Sequence, residues 1–238
     1  MIAKLTNLFR AFVRHLRAHG VQKTLATAFE HAGDKRRAWV NAGFDRKYGT
    51  DTSGVILDQN ELGVHTENRE FSCGYEGIQM PVFRRIYADL DVNPAKFAFI
   101  DFGSGKGRAV MLAAERKFTV VHGVEFSPVL HKIAEANVDR FKKQNPGASP
   151  IVLRCQDAAT FEIPPGDLVC FFYNPFDQTV MAKVLANIEK ACAESPRRVV
   201  VAYRNPLYAD VFDKFPFLRE TRSTSTYRIY ASQPAVVA

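Results

Sequence analysis

Phe97-Ala98-Phe99-Ile100-Asp101-Phe102-Gly103-Ser104-Gly105-Lys106-Gly107-Arg108 carries an apolar strand straight into an acidic residue and three glycines at alternate positions, and a helical pattern follows at once. A continuous apolar run of this kind suits a strand buried on both faces of a parallel sheet. Glycines without Cβ let the chain turn tightly and let a ligand approach the backbone. The helix expected from about Lys106 aims its free N–H groups back at that turn. Strand, glycine turn and helix in this order predict an α/β fold with a cofactor at the strand's carboxyl end. The spacing restricts which cofactor. A dinucleotide turn reads G-x-G-x-x-G and holds a pyrophosphate, whereas here the third glycine falls one residue early and position 108 is Arg. A phosphate-binding loop needs Ser or Thr after its lysine, and Lys106 is followed by Gly107.

Two further acidic strand ends extend the pattern. Residues 119–125 read as the next strand, ending in Glu125 about twenty residues after the turn, where a βαβ unit places a carboxylate on ribose hydroxyls. A carboxylate accepts two hydrogen bonds from a vicinal diol, and an NAD site would use the same residue. Phe126-Ser127-Pro128 then opens a helix, with Ser127 at the N-cap and Pro128 in the first turn. Residues 151–158 give a third strand with an Asp157-Ala158 corner. Residues 167–173 give a fourth, wholly apolar after its first residue, which stops at Asn174-Pro175-Phe176 on the edge where such sheets bind ligands.

An acidic residue before G-x-G-x-G, with Glu125 on the following strand, resembles motif I of the class I S-adenosylmethionine (SAM)-dependent methyltransferases. Phe44-Asp45-x-x-Tyr48-Gly49-x-Asp51-Thr52-Ser53-Gly54, Asp-Phe-Gly-Ser-Gly-Lys-Gly-Arg and Asn-Pro-Phe together are similar to strings of one bacterial branch of that family, over roughly residues 44–206. The resemblance implies SAM as cofactor. It assigns Asp101, Gly103, Ser104, Gly105 and Gly107 to the methionine end and sulfonium region. Asp157 and Ala158 go to the adenine side, and Glu125, Phe126 and Asn174 complete the cofactor set. It also implies a Rossmann-like, seven-stranded methyltransferase sheet in the order 3-2-1-4-5-7-6, with the last strand antiparallel. Alternation of strands and helices is all that periodicity itself gives: a helix over 81–90 before the first strand, a helix over 177–194, a strand over 198–203, a short helical stretch near Tyr208, and strands over 217–221 and 226–231.

Tyr173-Asn174-Pro175-Phe176 is similar to the Asn-Pro-Pro-Tyr loop of amine-methylating enzymes, and to the Asn-containing loop of non-SET histone lysine methyltransferases. In the former the Asn side chain and a backbone carbonyl accept hydrogen bonds from the target nitrogen. The resemblance implies Asn174, Pro175 and Phe176 as catalytic residues and a nitrogen acceptor, a protein lysine or amine or a small molecule. One proline is missing, and Phe stands where the nucleic-acid enzymes stack an aromatic on a flipped base. The alternative is a strand stop with Phe176 in the core. Tyr203, Arg204 and Asn205 end another strand on the same rim. Upstream, the stretch 44–54, rich in glycine and small polar residues, reads as a loop. With Tyr48, Asp51, Tyr75 and Glu76 it is suited to close over the cofactor and exclude water, and Tyr75 and Glu76 join the cofactor set on that ground.

With 238 residues, 47% of them hydrophobic, the chain can bury a full α/β core and carry an extension. Residues 1–70 are expected to form a basic amphipathic helix with a lid and linker, and 71–238 the methyltransferase domain. No apolar run approaches the roughly twenty residues of a membrane span. Cys73, Cys155, Cys170 and Cys192 form neither a disulfide framework nor a C-x-x-C zinc site, and Cys155 and Cys170 fall in strands expected to be buried. A cytoplasmic location follows. His15 and His19 have metal-ligand spacing but no third ligand nearby, so no metal is expected.

The net charge of +7 gathers near the start, where Lys4, Arg10, Arg14, Arg17, Lys23, Lys35, Arg36 and Arg37 face Glu30 and Asp34. Leu5, Leu8, Phe9, Phe12, Val13 and Leu16 recur at helical spacing. Three readings stand: a cover for the catalytic domain, which is preferred, a membrane-surface helix through residues 1–25, or a mitochondrial targeting segment. Nucleic acid is a less favoured partner than a protein or small-molecule acceptor. Two rivals to methyl transfer are a non-catalytic SAM-binding scaffold docked to membrane or RNA, and an NAD-dependent oxidoreductase.

Overall fold

The computed structural model describes residues 42–56 and 75–232. The basic helix expected over residues 1–25, with His15, His19 and Cys73, lies outside them. A seven-stranded sheet forms the middle layer. Its strands are β3 (Phe97–Phe102), β4 (Val121–Glu125), β5 (Ile151–Cys155), β6 (Asp167–Tyr173), β7 (Val199–Arg204), β8 (Leu218–Ser223) and β9 (Tyr227–Ser232). They lie in the order β5-β4-β3-β6-β7-β9-β8. Numbered from β3 as the first, this is 3-2-1-4-5-7-6. β3 to β7 pair in parallel, while β9 runs antiparallel to both β7 and β8. The two strands before the sheet, β1 (Val55–Ile56) and β2 (Tyr75–Glu76), make a separate antiparallel pair.

Every residue of β3 is buried, as its unbroken apolar run requires. Its side chains alternate between two cores. Phe97 and Phe99 face α2 (Met80–Ala88) and α3 (Arg108–Ala114) with Phe83, Val169 and Phe171; Ala98, Ile100 and Phe102 face α5 (Gln178–Glu194) with Leu168, Cys170 and Phe172. α4 (Pro128–Gln144) adds Val138 and Phe141 to the first core. Its start is capped as expected, with Pro128 in the first turn and the Ser127 side chain accepting from the Leu130 amide at 3.2 Å.

Three local expectations are corrected. The stretch predicted as a loop from Phe44 is helical over 42–48 (α1). Phe44 and Tyr48, one turn apart, both enter the first core, and Tyr48 stands edge-on to Phe44 and Phe141. Tyr48 is therefore a packing residue and not part of a lid. Cys155 is exposed, because β5 is the sheet's edge strand, while Cys170 on central β6 is fully buried. The helix after the glycine turn starts at Arg108, two residues later than expected, since Lys106 and Gly107 still belong to the turn. Among the described residues no helix is long and apolar enough to cross a membrane.

Candidate active site

β3, β4 and β6 end on one edge of the sheet, with the corner after β5 beside them, and a cleft opens there with about 1020 Å³ of empty space, part of it open to solvent. The three acidic positions meet in it. Asp101 is the penultimate residue of β3, Glu125 ends β4, and Asp157 follows β5, and all three line the cleft together with Gly103, Ser104, Gly105, Phe126 and Ala158. Asp157 also caps the short helical turn 158–160, accepting from the Ala159 amide at 2.9 Å. Tyr75, Glu76, Pro175 and Phe176 form further wall.

The two inner carboxylates differ in environment. Glu125 is 8% exposed and accepts from the Gly105 amide at 2.7 Å through Oε2 and from the Ser127 amide at 2.8 Å through Oε1. Burial raises its pKa, and these amides pull part of that rise back. Asp101 is 3% exposed, and no described residue donates a hydrogen bond to its carboxylate. Burial first, and the Glu125 charge second, push its pKa well above the ordinary carboxylate range. A buried carboxylate with no donor is an acceptor in want of a cation or a proton.

The glycine turn is shaped by what lies across from it. Gly103 has φ +80°, and a Cβ there would fall 2.2 Å from Pro175 Cβ. Gly105 has φ +54°, and its Cβ would fall 2.4 Å from the Tyr75 ring. The motif therefore packs backbone-to-side-chain against both the Asn-Pro-Phe loop and Tyr75. Gly107 is placed elsewhere: it is not part of the cleft lining, and its Cβ position faces Ala134 of α4 at 3.4 Å. Ser104 Oγ is buried with no hydrogen-bond partner among the described residues.

The Asn-Pro-Phe loop divides. Pro175 and Phe176 line the cleft, with Phe176 also edge-on to Phe172 at 6.1 Å, so the ring serves core and cleft at once. Asn174 is not among the lining residues. It has φ +41°, and its Oδ1 accepts from the Tyr203 hydroxyl at 3.3 Å. Tyr203 is fully buried, and its oxygen in turn accepts from the Tyr208 amide at 3.3 Å. Tyr173, not singled out by sequence, lines the mouth and donates to Glu76 Oε2 at 2.9 Å, with the Arg204 guanidinium 5.4 Å from its ring centroid.

In sequence, Arg108 has no role of its own beyond closing the Asp-Phe-Gly-Ser-Gly-Lys-Gly-Arg string and setting aside a dinucleotide motif. It is 1% exposed and points into the chain upstream. Its Nε donates to Thr52 Oγ1 at 2.7 Å, Nη2 to Ser53 Oγ at 3.1 Å, and Nη1 to the Ile78 carbonyl at 3.3 Å. Asp45 Oδ2 lies 3.5 Å from Nη2. Burial favours the neutral form of Asp45, but donation from the Ser53, Thr52 and Thr50 hydroxyls outweighs it and holds the carboxyl below its usual value. Both strings, Asp45 to Ser53 and Lys106 to Arg108, belong to the stretches that carry the family resemblance, but nothing in the sequence pairs one with the other.

No family model matches the chain, and no curated protein sequence matches it. It is similar in structure to an RNA methyltransferase from Salinibacter ruber, solved with S-adenosyl-L-homocysteine, at TM-score 0.44 and 21% identity over 68% of this chain and 95% of that one. A SAM-dependent methyltransferase from Leishmania major gives TM-score 0.45 and 14% identity over 63% and 69%. A precorrin 8W decarboxylase from Methanobacterium thermoautotrophicum gives TM-score 0.47 and 16% identity over 75% and 100%. These likenesses are distant, and the residues of the cleft carry the functional reading.

Proposed function

We propose that the chain is a SAM-dependent methyltransferase acting on a nitrogen acceptor, a protein amine or a small molecule. One observation carries the reading: the amide of the glycine turn, which in a dinucleotide site faces phosphate, is donated here to the carboxylate of Glu125. Four carboxylates line the cleft, at Glu76, Asp101, Glu125 and Asp157, against the single guanidinium of Arg108, which is tied to Asp45 and its neighbours. Among the described residues such a lining offers a pyrophosphate no free cation, and it offers a cationic ligand acidic partners, among them Asp101, which can give up its proton to it.

SAM fits these residues, with an ammonium for Asp101, a ribose diol for Glu125 and an adenine amine for Asp157. When bound, it supplies an electrophilic methyl on a sulfonium. The chain's own part is to position the acceptor and keep water out. Pro175 and Phe176 form the wall beside the glycine turn, and the Phe176 ring face can stabilise a cationic amine. Asn174 follows β6 behind this wall, and we assign to the second lone pair of its Oδ1, the first being taken by the Tyr203 hydroxyl, a hydrogen bond that orients the acceptor amine together with the Pro175 carbonyl.

Calorimetry on the wild type should show binding of SAM and S-adenosylhomocysteine and none of NAD. Glu125→Ala should weaken both ligands by about 1–3 kcal/mol, the cost of losing a charge-assisted hydrogen bond. Wild-type protein that binds NAD and not SAM overturns the reading. Asn174→Ala should keep S-adenosylhomocysteine affinity within about threefold while single-turnover methyl transfer falls about a hundredfold, as loss of a positioning contact does. The acceptor for that measurement comes from tracing labelled methyl into a lysate fractionated into protein, RNA and small molecules. Near-normal turnover would make Asn174 a strand stop only.

A further inference from the structure

The glycine motif spends both of its basic side chains on the segment upstream. Lys106 Nζ donates to Asp51 Oδ1 at 3.2 Å and to the Ser53 carbonyl at 3.4 Å, and Arg108 reaches Asp45, Thr52 and Ser53. Asn137 of α4, fully buried, accepts from the Asp51 amide at 2.8 Å and donates to the Asp51 and Lys106 carbonyls at 2.9 and 3.0 Å. Asp45 gathers the same segment from below, accepting from Thr50 Oγ1 at 2.8 Å, from the Thr52 amide and hydroxyl at 2.9 and 2.7 Å, and from Ser53 Oγ. Residues 45–53 are thereby fixed at both ends and in the middle.

What they back is the cleft wall. The Thr52 carbonyl accepts from the Tyr75 hydroxyl at 2.8 Å, and Tyr75 lies with its ring against Gly105, whose amide holds Glu125. The next glycine, Gly77, would place a Cβ 2.6 Å from the Thr52 carbonyl and 3.1 Å from Arg108 Cζ, so the chain after Tyr75 is pressed on the same support. We propose that Arg108 is a positioning residue: through Asp45 and Thr52 it holds Tyr75 against the glycine turn and so sets the shape of the cofactor cleft. This rests on the cleft being the SAM site. It assigns a task to residues 45–53, which the sequence offers only as a candidate lid, and it makes the two motifs a single unit. Arg108 itself lines the cleft whereas Asp45 and Thr52 do not, so it is the Asp45→Asn and Thr52→Val affinities that read a transmitted effect.

Three variants test it: Asp45→Asn, Thr52→Val and the double variant Asp45→Asn/Arg108→Met. Each is measured for melting temperature, S-adenosylhomocysteine affinity, and hydrogen exchange at residues 75–78 and 103–105. Asp45→Asn should lose stability, because it strands a buried guanidinium, and the double variant should regain most of it, because no unpaired charge is left. Affinity should fall at least tenfold in Asp45→Asn and stay low in the double variant, and exchange should quicken at Tyr75 and Gly105 in both. Affinity that recovers together with melting temperature would show a structural ion pair and overturn the proposal. Unchanged affinity in folded Thr52→Val and Asp45→Asn would do the same. If the wild type binds no S-adenosylhomocysteine, the methyltransferase reading falls by itself, and the exchange data still decide: protection retained at residues 75–78 and 103–105 in the double variant overturns the positioning role.

Discussion

Asp101→Asn is expected to stabilise the ligand-free protein while weakening S-adenosylhomocysteine at least tenfold. Asp101 sits 3% exposed with no described donor on its carboxylate. Burial, and then the Glu125 charge, keep its proton on to a pH well above the ordinary carboxylate range. In the unfolded chain the same group loses its proton near pH 4. Between those two values the folded state binds more protons than the unfolded state, so stability falls as pH rises through that window. Glu125, raised in the same direction, adds to the slope. Asparagine does not titrate, so the gain in melting temperature over wild type should be small near pH 5 and larger near pH 8. The ligand affinity moves the other way, because the neutral amide cannot offer an ionic partner to the ligand's ammonium, a contact of about 1.5–3 kcal/mol. Binding to the wild type should also release a proton, visible as a dependence of the calorimetric enthalpy on the buffer. A pH-independent gain in stability, or unaltered affinity, would remove Asp101 from the role of cation partner.

The parts of this site that were legible in sequence are those fixed by a single strand and its end. β3 and β6 are buried on both faces, so their apolar runs stood out, and the residue types at their ends could be read directly. The parallel register then brings Asp101 beside Gly123 of β4 and Phe171 of β6, which places the acidic ends on one edge. Arg108 was not legible, because its partners lie 55 and 56 residues away at Ser53 and Thr52, and nothing local to a helix start says that a guanidinium turns inward. Gly107 fails for a related reason: its neighbour is Ala134, on another helix. The helix at 42–48 could have been found. Phe44 and Tyr48 have the i, i+4 spacing of one helical face, but the small polar residues from Gly49 onward dominated the reading of the whole stretch. The direction of the Asn174 side chain belongs to the last group, since it depends on Tyr203 from the neighbouring strand.

Gly103→Ala should produce the largest stability loss of any single substitution in the glycine motif. Its φ of +80° costs a residue with a Cβ about 1–2 kcal/mol. The added Cβ would also lie 2.2 Å from Pro175 Cβ, a distance at which one of the two chains must move, and such overpacking costs about 1–3 kcal/mol more. Pro175 has little room to yield. Its own φ is fixed by its ring, Asn174 before it is already at φ +41°, and Phe176 after it is packed against Phe172. The loop should therefore be displaced as a unit, taking Pro175 and Phe176 out of the cleft wall and weakening S-adenosylhomocysteine as well as lowering the melting temperature. Gly166→Ala is the control, because Gly166 has a similar φ of +88° but nothing within 4 Å of its Cβ position. It should show the backbone strain alone. Pro175→Gly removes the atom that a Cβ at residue 103 would strike, so Gly103→Ala/Pro175→Gly should recover part of the loss that exceeds the control. Equal losses in Gly103→Ala and Gly166→Ala, with ligand affinity unchanged in both, would mean that the glycine turn and the Asn-Pro-Phe loop do not depend on close contact.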